Sequence, residues 1–320
     1  MTDWIETFLG TLFPSVPTPY NDRRHPNLDA LRAYADWMKR QPIDGVAVSL
    51  RTGEGDRFDS ETCAEILECW KAAMEGLPLI VEVGPDPKAA ASDAISTALD
   101  IANVARDTAR YFLLKPPTVF CSEPDRDSRI IDYHRSIGEL GIPLIVSCTT
   151  EGGDGMRYSD DVVETLFDMD EVVAGRISMI GSPVLLQDLI THLLVNHPDK
   201  AVLSGDDRLC GYSLYRGCHG TLSAVGSICP RLQRELIDAW FMGEATRFLN
   251  LSRLTDHVAE AIFIEPIEGY ARRLLVGLAY QRIIPEESAD DPWAPPISPR
   301  DEELVKATLD AIGEWSDGRC

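Results

Sequence analysis

The chain has 320 residues, 44% hydrophobic and 26% charged, with 23 Gly and 21 Pro, a make-up that fits an ordinary globular protein and excludes a disordered or fibrous one. The 52 Asp and Glu against 30 Lys and Arg leave a formal net charge of −22, which repels a phosphate backbone, so nucleic acid is not an expected partner. No apolar run approaches the roughly 18 residues a bilayer crossing needs, and the opening MTDWIETFLG lacks a basic signal-peptide region, so a cytoplasmic protein without membrane contact is expected.

Along the chain, short apolar runs alternate with longer amphipathic stretches. TLFPSVPTPY (11–20) reads as a first strand and NLDALRAYADWMKRQ (27–41) as a helix. Strands follow at IDGVAVSL (43–50), LPLIVEVG (77–84), ARYFLLK (109–115), IPLIVSC (142–148), DEVVAGRIS (170–178), KAVLSG (200–205) and GTLSAVG (220–226). The segments between them at 60–76, 87–107, 127–141, 159–170 and 182–197 carry apolar residues at three- and four-residue spacing, most opening on Ser, Asp or Pro. After strand eight, the segments 230–264, 266–282 and 299–315 read as further helices, the last two divided by the Pro-rich PEESADDPWAPPISPR.

Parallel neighbours need helical crossovers and a closed sheet leaves no free edge, so eight such units predict a (β/α)8 TIM barrel, an α/β fold, with a helical C-terminal appendage. An open doubly wound sheet is the competing arrangement. The expected division is a barrel over 1–230 and a helical region over 231–320. Eight cysteines are scattered without a C-x-x-C pair and six histidines without H-E-x-x-H, so no cofactor and no metal are expected. A metal site would have to be assembled by the fold.

Four segments carry a family resemblance: PSVPTPYNDRRHPNLDALRAYADWM, RTGEGDRFDSET (51–62), LLKPPTV (113–119) and LSGDDRLCGYSLYRGCHGTLSAVGSICP (203–230), with the late Glu265-Pro266 pair. Together they resemble the dihydrodipicolinate synthase / N-acetylneuraminate lyase family of class I aldolases over about residues 11–280. The resemblance implies a barrel that binds a 2-oxo acid as an imine on a strand-six lysine in a G-I-K context. In the matching VVAGRIS that position is Arg176. The family's tyrosine after strand five falls on Ser147, the one after Pro-Pro is replaced within Thr118-Val119-Phe120, and T-T-G-E becomes Arg51, Thr52, Gly53 and Glu54. This is a divergent member, and its activity is expected to differ from dihydrodipicolinate synthase.

Barrel active sites lie at the C-terminal strand ends. Of six lysines, Lys39, Lys71 and Lys306 fall within helices, Lys88 opens one and Lys200 precedes strand seven, leaving Lys115 at the end of strand four. Lys115 is read either as a relocated imine-forming lysine or as a charge bound to an acidic loop residue. Arg176 cannot form an imine but holds a carboxylate. Arg51, Lys115 and Arg176 are expected to converge on the mouth, compensated either by a bound anion or by Glu54, Glu82 or Asp206.

Ser147 is a further catalytic candidate, and Arg51, Thr52, Gly53, Glu54, Cys148, Gly205 and Asp206 complete the expected substrate-binding set. EGGDGMR (151–157) reads as a loop over the rim, a lid or a connection. The expected function is a lyase or aldolase-like reaction on a small 2-oxo or sugar acid. The alternative is a catalytically inactive barrel serving as a carboxylate sensor or assembly partner. The resemblance further implies a homodimer or homotetramer.

Overall fold

A computed structural model describes residues 3–49, 51–149, 156–179 and 181–315. In chain order the elements are α1 (Trp4–Phe8), β1 (Thr11–Pro14), α2 (Leu28–Lys39), β2 (Val46–Val48), α3 (Ser60–Ala73), β3 (Leu79–Val83), α4 (Ala94–Ala105) and β4 (Tyr111–Leu114). They continue as α5 (Arg126–Gly138), β5 (Leu144–Thr149), α6 (Asp160–Phe167), β6 (Val172–Ser178), α7 (Pro183–Asn196), β7 (Ala201–Ser204), α8 (Cys210–Tyr215) and β8 (Gly220–Ser223). Last come α9 (Pro230–Phe241), α10 (Ala245–Ile262), α11 (Tyr270–Tyr280) and α12 (Pro299–Trp315).

The strands pair in the order β1-β8-β7-β6-β5-β4-β3-β2, all parallel. A parallel bridge between Ser15 and Ala47, with Val16 N–H donating to the Ala47 carbonyl at 3.1 Å, closes the ring between β1 and β2. The expected (β/α)8 barrel with C-terminal helices is therefore the fold. Helix starts follow the residues that marked them: side chains of Asn27, Asp59, Ser159 and Ser182 accept backbone N–H groups of the first turns of α2, α3, α6 and α7.

Four local expectations change. The segment from 87 was expected to be helical throughout, but α4 starts only at Ala94, so Lys88 sits in a turn where its N–H donates to Asp86 Oδ1. The segment 230–264 is two helices, because Gly243 adopts φ +73, a left-handed turn that glycine tolerates. Two short helices, α1 and α8, had no segment assigned to them, although eight β/α units imply a helix after strand seven.

Strand period two separates two cores. Outward residues such as Val46, Val81, Phe112, Val146 and Val202 pack under the helices. Inward residues Phe13, Ala47, Ile80, Tyr111, Leu113, Ile145, Leu203 and Leu222 fill the barrel, and Phe8 of α1 seals its N-terminal end, with Trp4 and Ile5 packed against the same cluster. The next inward positions toward the C-terminal end, Glu82, Lys115, Ser147 and Arg176, are polar, and there the mouth begins.

Candidate active site

The mouth is a cavity of about 790 Å³. Its floor and walls are strand ends, and its far side is supplied by Pro266, Glu268 and Tyr270 before and at the start of α11 and by Trp293–Pro295 of the Pro-rich connection. The three expected cations Arg51, Lys115 and Arg176 all line it, together with Thr52, Glu54 and Ser147.

Arg176 reaches inward from β6 and lies across Gly205, where an added Cβ would sit 2.5 Å from Nε. Its Nη2 donates to the Gly205 carbonyl at 3.0 Å and its Nε points to the Leu222 carbonyl at 3.5 Å. Gly205 thus serves as the bed of a guanidinium. Asp206 is buried beyond it and accepts the Leu209 N–H at 3.3 Å, shaping the turn into α8.

Lys115 Nζ donates to Asp56 Oδ2 at 2.5 Å, with the two side chains 26% and 28% exposed. Burial pushes the Asp56 carboxyl up, but the charge and hydrogen bond of Lys115 outweigh it and hold Asp56 below the usual range. The compensating acid is Asp56, which was not among the acids expected for this role. A neighbouring cleft of about 390 Å³ is lined by both members of the pair and by Lys88, which the misplaced helix start had removed from consideration.

Thr52 and Gly53 form a short 3-10 turn directly beyond β2. Gly53 fits because an added Cβ would meet the Val16 carbonyl at 3.0 Å, and Thr18 Oγ1 donates to its carbonyl at 2.8 Å. Thr52 Oγ1 accepts from Ser15 Oγ at 2.7 Å and lies 3.3 Å from the Tyr270 hydroxyl. This chain of three hydroxyls opens into the mouth through Tyr270, a residue the sequence reading missed. Arg273, buried in α11, donates to the carbonyls of Ile262, Ile264 and Pro266 and so fixes the turn that presents Tyr270.

Glu54 has φ 53, a left-handed conformation at the entry to the next turn. Burial, then the nearby charge of Asp291, push its carboxyl up to about 7, although Arg57 donates to Oε2 at 3.2 Å. Burial likewise raises Asp291, whose Oδ1 accepts the N–H groups of Trp293 and Ala294. The Arg57 guanidinium stands 5.8 Å over the Trp293 ring, so the connection before α12 is tied to the loop after β2.

Of the expected site residues, Gly53, Cys148, Gly205 and Asp206 do not line the mouth, and Cys148 faces away from it. Cys148 lies between inward Ser147 and Thr149, so it points outward into the helix layer, where burial pushes its thiol up to about 12. Residues 151–155 of the expected rim loop lie outside the described residues; Met156, just after them, lines the mouth.

The sequence profile of the Dihydrodipicolinate synthetase family matches residues 8–307. The chain belongs to the dihydrodipicolinate synthetase family. It is 25% identical over 308 residues to the 4-hydroxy-tetrahydrodipicolinate synthase of Methanothrix thermoacetophila, covering 96% of this chain and 97% of that one. Among solved structures, dihydrodipicolinate synthase from Oceanobacillus iheyensis superposes with a TM-score of 0.82 at 15% identity, over 98% of this chain and 100% of that one. YagE from E. coli K12, described as a prophage protein of the dihydrodipicolinic acid synthase family in complex with pyruvate, gives 0.79 at 18% identity over 94% and 98%. These likenesses carry the fold, a lyase/aldolase-type barrel in a family whose chemistry gathers at the strand ends. No described helix is long and apolar enough to cross a membrane.

Proposed function

We propose that this protein is a lyase of aldolase type acting on a small 2-oxo acid or sugar acid, and that it does not carry out the synthase reaction named for its relatives. The observation that supports this most is Arg176, an inward guanidinium where the resemblance expects the imine lysine. A guanidinium has no free lone pair for imine chemistry, but its planar donors match a carboxylate. In this reading Arg176 and Arg51 draw the substrate carboxylate, Thr52 and the backbone at Gly53 receive it, and Ser147 borders the reacting carbon. Pyruvate in the YagE structure is consistent with such a ligand.

Lys115 is the only lysine among the described residues lining the mouth, and we assign any imine to it. Its pair with Asp56 must open first, because attack needs the unprotonated amine. Glu54, poised near neutrality, suits proton transfer to and from the reacting carbon, with Tyr270, Thr52 and Ser15 as a hydroxyl path.

The Lys115–Asp56 pair favours a second reading, binding without turnover, because it engages the one amine at the mouth among the described residues. Incubating the protein with substituted 2-oxo and sugar acids and following release of pyruvate separates the two. Cleavage of at least one acid, without dihydrodipicolinate synthase activity, is the expected result. Efficient synthase turnover overturns the proposal, and melting-temperature shifts without cleavage favour the binding reading.

A further inference from the structure

Outside the mouth, the helix layer brings together three side chains that the chemistry above leaves unused. Glu164 stands on α6, His192 in the last turn of α7, and His197 immediately after it, where the chain leaves the helix with φ −126 and ψ 61. Five residues apart on a continuous helix, two side chains diverge by about 140°. The break at His197 removes that divergence, and the two rings sit 6.2 Å apart. Glu164 Oε1 is 2.8 Å from His192 Nε2, and its Oε2 is 3.1 Å from His197 Nε2.

These short separations are not hydrogen bonds. Both Nε2 atoms are buried, and neither meets hydrogen-bond geometry with any partner among the described residues, because the ring nitrogens are not aimed at the oxygens. One donor atom from each residue lies within 4.8 Å of the others, close enough for a single ion to reach all three. His197 is 4% exposed, which fixes its ring there. The outer nitrogens have polar neighbours. His197 Nδ1 lies 3.6 Å from Asp168 Oδ1, and His192 Nδ1 lies 3.0 Å from the Asn196 amide, whose oxygen faces the ring when the amide is turned over. Histidines that bind a metal through one nitrogen commonly give the other N–H to such a group.

We propose that Glu164, His192 and His197 form a site for a divalent transition-metal ion of the zinc type, clipping α6 to α7. Two imidazoles and one carboxylate suit such an ion, and because tetrahedral donors about 2.0–2.2 Å from a metal stand roughly 3.3–3.6 Å apart, the N–O separations of 2.8 and 3.1 Å widen slightly when the ion enters. Three protein ligands leave a position for water. The clipped helices precede and follow β6, the strand that carries Arg176, so the ion steadies the wall of the mouth without entering it.

The test uses the full chain stripped with a chelator and titrated with Zn²⁺ against a chromophoric competitor, and in parallel with Co²⁺. One equivalent binds, the melting temperature rises, and the cobalt protein shows visible d–d bands without a thiolate charge-transfer band. His192→Gln and Glu164→Gln, both at partly exposed positions, each weaken zinc by at least about tenfold while the far-ultraviolet dichroism stays unchanged. Absence of zinc binding to the wild-type chain overturns the proposal. So does affinity that survives both substitutions, or a thiolate band that assigns the ion to cysteines.

Discussion

The two ends of the barrel are made by the same eight strands and the same inward-pointing register, yet one is sealed and the other open. At the N-terminal end α1 lays Phe8 against Tyr111 and Phe13, with ring centroids 5.1 and 6.1 Å away. At the C-terminal end the inward positions become Glu82, Lys115, Ser147 and Arg176, and ion pairs replace ring contacts. One end gains stability from apolar burial; the other holds charges whose desolvation opposes it. Substitutions at the bottom should therefore destabilise without specific chemical effect, and substitutions at the mouth should change chemistry at small cost in stability.

The largest effect in stability is expected from Phe8→Ala, which opens the seal and leaves a cavity beside Tyr111. Denaturant unfolding should show a loss of about 3–5 kcal/mol, while any 2-oxo acid binding at the mouth persists at temperatures where the variant is folded. An unchanged midpoint would show that α1 is not a working part of the core.

Glu54→Gln carries the largest expected chemical effect, a fall in turnover of about 10²–10⁴-fold with loss of the limb of the pH–rate profile near 7. The same group leaves a thermodynamic mark. Its carboxyl is raised from 4.5 to about 7, so the folded chain holds a proton that the unfolded chain releases, and stability falls as pH rises between those values. In Glu54→Gln that slope should flatten. A wild-type slope that is absent or rises through this window would contradict the burial argued for Glu54.

Thr52→Val interrupts the hydroxyl path and leaves Ser15 Oγ buried without its acceptor. A loss of about 1–3 kcal/mol is expected in thermal or chemical unfolding, together with slower turnover. The smallest stability change belongs to Asp56→Asn, about 1 kcal/mol or less, because the amide keeps the size of the carboxylate and an oxygen that still accepts from Lys115 Nζ. Its chemical signature is clearer: without the carboxylate Lys115 Nζ is no longer held in an ion pair, so borohydride trapping with pyruvate should be faster than in the wild type.

The sequence carried the strands well, since runs such as LIVEV and VVAGRIS have the apolar, β-branched make-up of buried parallel strands. It did not reveal α1, whose five residues are too few to display a helical period. The rim cations were legible because a residue at a strand end has only one place to go. Period two along β5 also separates Cys148 from Ser147, and applying it would have removed Cys148 from the site. Tyr270, Asp56 and Trp293 were not legible, because they reach the mouth from a helix start and loops whose return is decided by long-range packing. Glu164 lies 28 residues before His192 in the chain, a spacing that matches no metal motif, and only the juxtaposition of α6 with the end of α7 brings it beside the two histidines.

The mouth presents an amine at strand four, Lys115, and a guanidinium at strand six, Arg176, where the resemblance expects an imine lysine. The most direct measurement is borohydride reduction of the wild-type protein with pyruvate, followed by intact-mass and peptide-mass analysis. The expected result is one reduced adduct per chain, located on Lys115 and absent in Lys115→Met. An adduct on Lys88, or none in a protein shown by melting shifts to bind pyruvate, would contradict it.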